Sequence, residues 1–83
     1  MMNTEIVREF KEACNKIRDI ETKPGAMLNY GKAYAKAGLG LFTSIEILHQ
    51  IPYILSNLST WKGEEAKKVK TTLKNLEKDI KRG

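Results

Sequence analysis

Residues 53–73, YILSNLSTWKGEEAKKVKTTL, decide how this chain folds. The stretch joins the end of an apolar segment to the start of a basic, strongly periodic one, through the only tryptophan, Trp61, and a glycine, Gly63. Gly63 suits both a turn and the N-cap of a following helix, and Glu64 and Glu65 then face that helix's positive end. Beyond it Ala66, Val69, Leu73, Leu76 and Ile80 recur at spacings of three, four, three and four, the apolar stripe of an amphipathic helix over about 64–81. A helical hairpin is therefore expected here, with the rest of the chain packed around it.

Upstream, Thr43-Ser44-Ile45-Glu46 has the pattern of a capping box, with a hydroxyl for the amide three residues on and a carboxylate that reaches back. It opens a helix expected over 44–60. Ile45, Ile47, Leu48, Ile51, Ile54, Leu55 and Leu58 make this segment apolar around most of its circumference, so it is expected to be central. Pro52 lies inside it and is expected to kink it, because proline lacks the amide that would bond to the Leu48 carbonyl.

Further back, residues 26–37 read as a short helix with a small-residue face (Gly31, Ala33, Ala35, Ala37) that lets a neighbour come close. Gly38-Leu39-Gly40-Leu41 ends it. With no strand before it and no G-x-x-x-x-G-K-[ST] spacing, this is a helix terminus and not a phosphate loop. At the start, Ile6, Phe10, Ala13, Ile17 and Ile20 recur at four, three, four and three, a helix over about 4–21 capped by Asn3 or Thr4. Pro24 and Gly25 stop it. The expected architecture is all-α: one domain over 1–83, a compact bundle of four helices.

Composition limits the function classes. A chain of 83 residues buries only about two-thirds of its unfolded surface, so its core needs support. One cysteine, Cys14, excludes a disulfide within the chain, and Cys14 with His49 is too few soft ligands for a structural zinc. Oligomerisation, a homodimer first, is the expected support. No metal or cofactor is expected. Met1 to Phe10 is polar and acidic, unlike a secretory signal, and the least charged run, 37–61, still carries Glu46, His49, Gln50, Pro52 and Asn57. No membrane association and a cytoplasmic location are expected. His49 lacks a nucleophile and an acid at any useful spacing, and Glu5, Glu9 and Glu12 alternate with lysine and arginine rather than pairing. No catalytic residue is assigned, and the protein is expected not to be an enzyme.

Two features remain as candidate binding surface. Lys67, Lys70, Lys74, Lys78 and Lys81 fall within a sector of about 80° on the last helix. Such a row spans about 20 Å and can follow phosphates, but it contains no arginine or interleaved aromatic to read bases, so contact with nucleic acid would be weak and unspecific. Its plainer role is a solvated face whose lysine stems cover the core edge. Trp61, with Tyr30, Tyr34 and Tyr53, belongs to the residue types most often found as interface anchors, although Trp61 is first expected at the hairpin's corner. A DNA-reading helix-turn-helix is rejected, because Glu64, Glu65 and Ala66 stand where base-contacting side chains belong.

The segment Tyr53-Ile54-Leu55-x-Asn57-Leu58-x-x-Trp61-x-Gly63-x-x-Ala66-x-x-Val69-Lys70-x-x-Leu73, with Tyr34-Ala35-x-Ala37-Gly38-Leu39-Gly40 upstream, resembles a group of small uncharacterised phage and prophage proteins. The resemblance covers about half the chain, from Tyr34 to Leu73. It implies a mobile-element origin and a role such as inhibiting a host or defence protein, and it supplies no site. The expected function is thus a non-enzymatic protein-binding module with a host protein as partner. The alternatives are a weak nucleic-acid binder and, by fold analogy alone, a bacteriocin-immunity-type protein.

Overall fold

The computed structural model describes residues 3–82; Met1, Met2 and Gly83 lie outside it. Among the described residues there is no strand, and four helices follow in chain order: α1 (Asn3–Arg18), α2 (Leu28–Gly38), α3 (Ser44–Ser56) and α4 (Glu64–Arg82). They form a bundle-like globule of 38 × 24 × 17 Å. α1 and α3 each touch all the other helices, whereas α2 and α4 flank them and do not meet. α3 is central, as its composition suggests, and shares that place with α1.

The apolar stripes of the two terminal helices are consumed inside the chain. Ile6, Phe10, Ala13 and Ile17 of α1 and Ala66, Val69, Leu73 and Leu76 of α4 are all buried. They meet Ile47, Ile51 and Ile54 of α3, with Leu58 closing the layer. Each fully buried large side chain contributes about 1.5–3 kcal/mol of transfer free energy, so these stripes are the main source of stability. No polar or charged side chain is buried among the described residues. Outside the helices, Ile20, Leu39, Leu41 and Trp61 still pack against this core.

Several helix ends differ from the expected ones, and the early stops of α1 and α3 have local causes. α1 stops at Arg18 rather than Glu21. Ile20 there turns its amide to the Ile17 carbonyl at 3.2 Å, and its own carbonyl accepts from the Lys32 ammonium of α2. α3 stops at Ser56 rather than Thr60. The Asn57 amide side chain donates to the Tyr53 carbonyl at 2.8 Å, capping the helix, and the chain then turns so that Leu58 enters the core. α2 starts later, at Leu28, and runs through Gly38. Gly38 and Gly40 do not adopt left-handed backbone, so Gly38 is not a turn glycine. It is a packing glycine: a Cβ there would lie 2.9 Å from the Phe10 ring and 3.2 Å from the Cys14 Sγ.

Two expected devices are present as written. The Thr43 hydroxyl accepts from the Glu46 amide at 3.2 Å while donating to the Glu46 carboxylate at 2.9 Å. Gly63, at φ +107°, makes the turn into α4, and its carbonyl accepts the Lys67 amide. Asn3 is not a cap of its own helix. It clamps the start of α3, donating to the Phe42 carbonyl at 3.2 Å and accepting from the Ser44 amide at 3.0 Å. Pro52 sits on the exposed side of α3, within the helix.

Candidate functional site

The lysine row is divided by the fold. Lys67, Lys74, Lys78 and Lys81 are exposed along α4. Lys70 is half-buried and donates to the Trp61 carbonyl at 2.7 Å, so one member of the row holds the hairpin corner instead of facing solvent. Partial desolvation, and then the nearby charges of Lys62 and Lys74, pull the Lys70 ammonium below the usual lysine pKa. Trp61 is half-buried against the core at the hairpin corner and also lines a shallow pocket with Lys62, Lys67 and Lys70.

A second surface emerges only in three dimensions. Tyr34 of α2 and Tyr53 of α3 stack with ring centroids 5.6 Å apart and planes 22° from parallel. The Gln50 side chain of α3 donates to the Tyr34 carbonyl at 2.9 Å and fixes the two helices beside the stack. Tyr30 precedes Tyr34 by one turn and Met27 is the N-cap residue of the helix. All four are exposed, by 63% for Met27, 66% for Tyr30, 38% for Tyr34 and 57% for Tyr53. The buried residues of α2 are Leu28, Gly31, Ala35 and Gly38, and at about 100° per residue Tyr30 and Tyr34 flank that stripe on one side, leaving Ala33, Lys36 and Ala37 on the outward side. Sequence reasoning named these tyrosines as anchor types without placing them together. The spacing of Met27, Tyr30 and Tyr34, at three and four, was the signal available.

The two surfaces join along α3. Leu48, His49, Pro52 and Tyr53 form one wall of an open groove of about 540 Å³, and Glu77 and Lys81 of α4 form the other. His49 is exposed there, and its side chain makes no hydrogen bond among the described residues. A smaller cleft of about 130 Å³ between α1 and α4 is rimmed by Glu9, Glu12, Lys16 and Lys68, whose charges cancel.

The described residues hold no cluster of three or more histidine, cysteine, aspartate or glutamate side chains suited to a metal. Cys14 is fully buried, and burial pushes its thiol pKa up to about 12, so it is protonated and unreactive at neutral pH. No described helix is long and apolar enough to cross a membrane. No protein-family profile, curated protein or solved structure matches the chain.

Proposed function

We propose that this is a non-enzymatic protein-binding module whose contact surface is the aromatic face of α2 and α3. One observation carries this reading: Tyr34 and Tyr53 stack at the surface across α2 and α3, with Tyr30 and Met27 exposed one and two turns before Tyr34 on α2 and its N-cap. Tyrosine offers large contact area at low entropic cost, and exposed apolar clusters of this kind characterise interaction sites. The resemblance of residues 34–73 to phage and prophage proteins adds the expectation that the partner is a host protein, met in the cytoplasm, whose action the module inhibits or assists.

Self-association belongs to the same reading. The stripes of α1 and α4 are already covered within the chain, so a second copy has the tyrosine face as its site. The test is capture from host cells at about 0.5 M salt, with light scattering on the isolated chain. Wild type should retain a partner or a dimer, and the triple substitution Tyr30→Ser, Tyr34→Ser and Tyr53→Ser should lose it with its circular dichroism unchanged. Equal capture by the variant sinks the reading.

Weak nucleic-acid binding is the second reading, supported by the exposure of Lys67, Lys74, Lys78 and Lys81. It requires binding that falls steeply with salt. Against it, one face of Tyr53 is already stacked on Tyr34, and Trp61 is tied into the corner, so the rings beside the lysines offer little for base stacking.

A further inference from the structure

We infer that a second copy of this chain covers the outward face of α3, in a two-fold dimer that sets α3 antiparallel to α3 and the α3–α4 groove against its own counterpart. The inference rests on the protein-binding reading above and names the occupant and geometry of that surface. The outward face of α3 lacks the charges that solvent-facing helices carry. Ile45, His49, Pro52 and Ser56 follow one another at spacings of four, three and four, and all are exposed. Tyr53 borders them, 57% exposed beside 60% for Ile45. The whole helix holds one carboxylate, Glu46, and no lysine or arginine. Such a face is unpartnered in the isolated chain.

Charge selects the occupant. The α4 wall of the groove holds one acid and one base, Glu77 and Lys81, a turn apart. Neither belongs to an ion pair among the described residues. α3 and α4 are consecutive helices joined by a short turn and run antiparallel, so Glu77 falls towards the Tyr53 end of the wall and Lys81 towards the Leu48 end. A two-fold axis passing between the levels of His49 and Pro52 brings the two α4 walls to the same side and reverses one against the other. Glu77 of each copy then stands opposite the partner's Lys81, and the match occurs twice. An isologous interface requires this complementarity of a patch with itself. A partner of one charge sign gains nothing from a wall whose charges cancel, whereas the reversed wall fits it at both ends. The remainder of α4 exposes Lys67, Lys74 and Lys78, where two copies of a +5 chain would repel. Lys78, in the same turn as Glu77, opposes the approach and limits its affinity.

The test is sedimentation velocity on the intact chain across a concentration series at about 0.1 M salt, with circular dichroism to confirm that each variant is folded. Wild type should dimerise. Glu77→Lys alone and Lys81→Glu alone should each weaken the dimer about tenfold, because the change from attraction to repulsion counts twice. An equimolar mixture of these two variants should recover association, since every facing pair is again of opposite sign. Lys67→Glu changes the net charge as Lys81→Glu does but lies outside the groove. It should leave the dimer no weaker, and its mixture with Glu77→Lys should not recover association. A monomeric wild type, single variants as tight as wild type, no recovery in the mixture, or equal recovery with Lys67→Glu overturns the inference. A dimer lost on the triple tyrosine substitution but indifferent to Glu77→Lys overturns this geometry and leaves the protein-binding reading standing. So does a monomer that still captures a host partner through the tyrosines.

Discussion

A Cβ added at Gly31 would lie 2.7 Å from the Asn57 carbonyl oxygen and 2.9 Å from a methyl of Leu58. Glycine in a helix interior costs roughly 1 kcal/mol against alanine, and the chain bears that cost so that α2 and the turn after α3 can touch. Gly31→Ala removes the local cost and meets a backbone oxygen that cannot rotate away, and overpacking of this kind costs about 1–3 kcal/mol. The expected net effect is a loss of about 1–2 kcal/mol, a fall of roughly 5–15 °C in thermal midpoint for a domain of this size. Gly40→Ala is the internal control. Its Cβ would sit 3.6 Å from the Ala37 carbonyl oxygen, an ordinary contact, so stability should change by less than about 0.5 kcal/mol. Thermal melts of the two variants check the pair, and equal midpoints would show that the close approach at Gly31 is not a constraint.

At the scale of the helices, the start of α3 is secured twice, by means of different origin. Thr43 caps it locally through the Glu46 amide, and Asn3, forty-one residues before Ser44, satisfies the Ser44 amide from the first turn of α1. The local cap is written in the sequence as a capping box. The remote one has no sequence signature, because an asparagine near the start of a helix reads as that helix's own cap. Thr43→Ala and Asn3→Ala should each cost about 1 kcal/mol, the usual worth of a lost cap. Since they serve different amides, the double variant should lose about 2 kcal/mol, measured as the shift in urea midpoint. A double variant no less stable than either single one would mean that the two caps act as one unit. The same logic explains why α1 and α3 end early. Lys32 and Asn57 offer hydrogen-bond partners to the carbonyls of Ile20 and Tyr53, and periodicity is blind to such competition.

For the whole molecule, the relevant quantity is how the +5 charge is spread. The described ion pairs, Arg8–Glu12, Lys16–Glu65 and Arg18–Asp19, are exposed and contribute little. Burial first, and then the charges of Lys62 and Lys74, oppose the charging of Lys70, and the chain as a whole has five more cationic than anionic side chains. Self-repulsion should therefore outweigh attraction in the isolated chain. Raising salt from about 10 mM to 300 mM screens that repulsion and should stabilise the fold by up to about 1 kcal/mol. A urea midpoint that falls with salt would show instead that the ion pairs dominate.

Periodicity in the sequence determined the helices, the capping of α3 and α4, and which stripe of each terminal helix is apolar, because those properties depend on residues within one or two turns of each other. The candidate site was half legible: the lysine row was visible on α4, and the tyrosines were visible as residue types. Only the tertiary structure stacked Tyr34 on Tyr53, withdrew Lys70 to the hairpin corner, and exposed His49 beside Lys81. It also folded the stripes of α1 and α4 into one core instead of leaving them for a second copy. These outcomes depend on which helix lies against which, and that is set by close approaches at Gly31 and Gly38 and by the turn that sends Leu58 inward. Surface identity is what remains after the core is filled, so it is decided last and by distant residues.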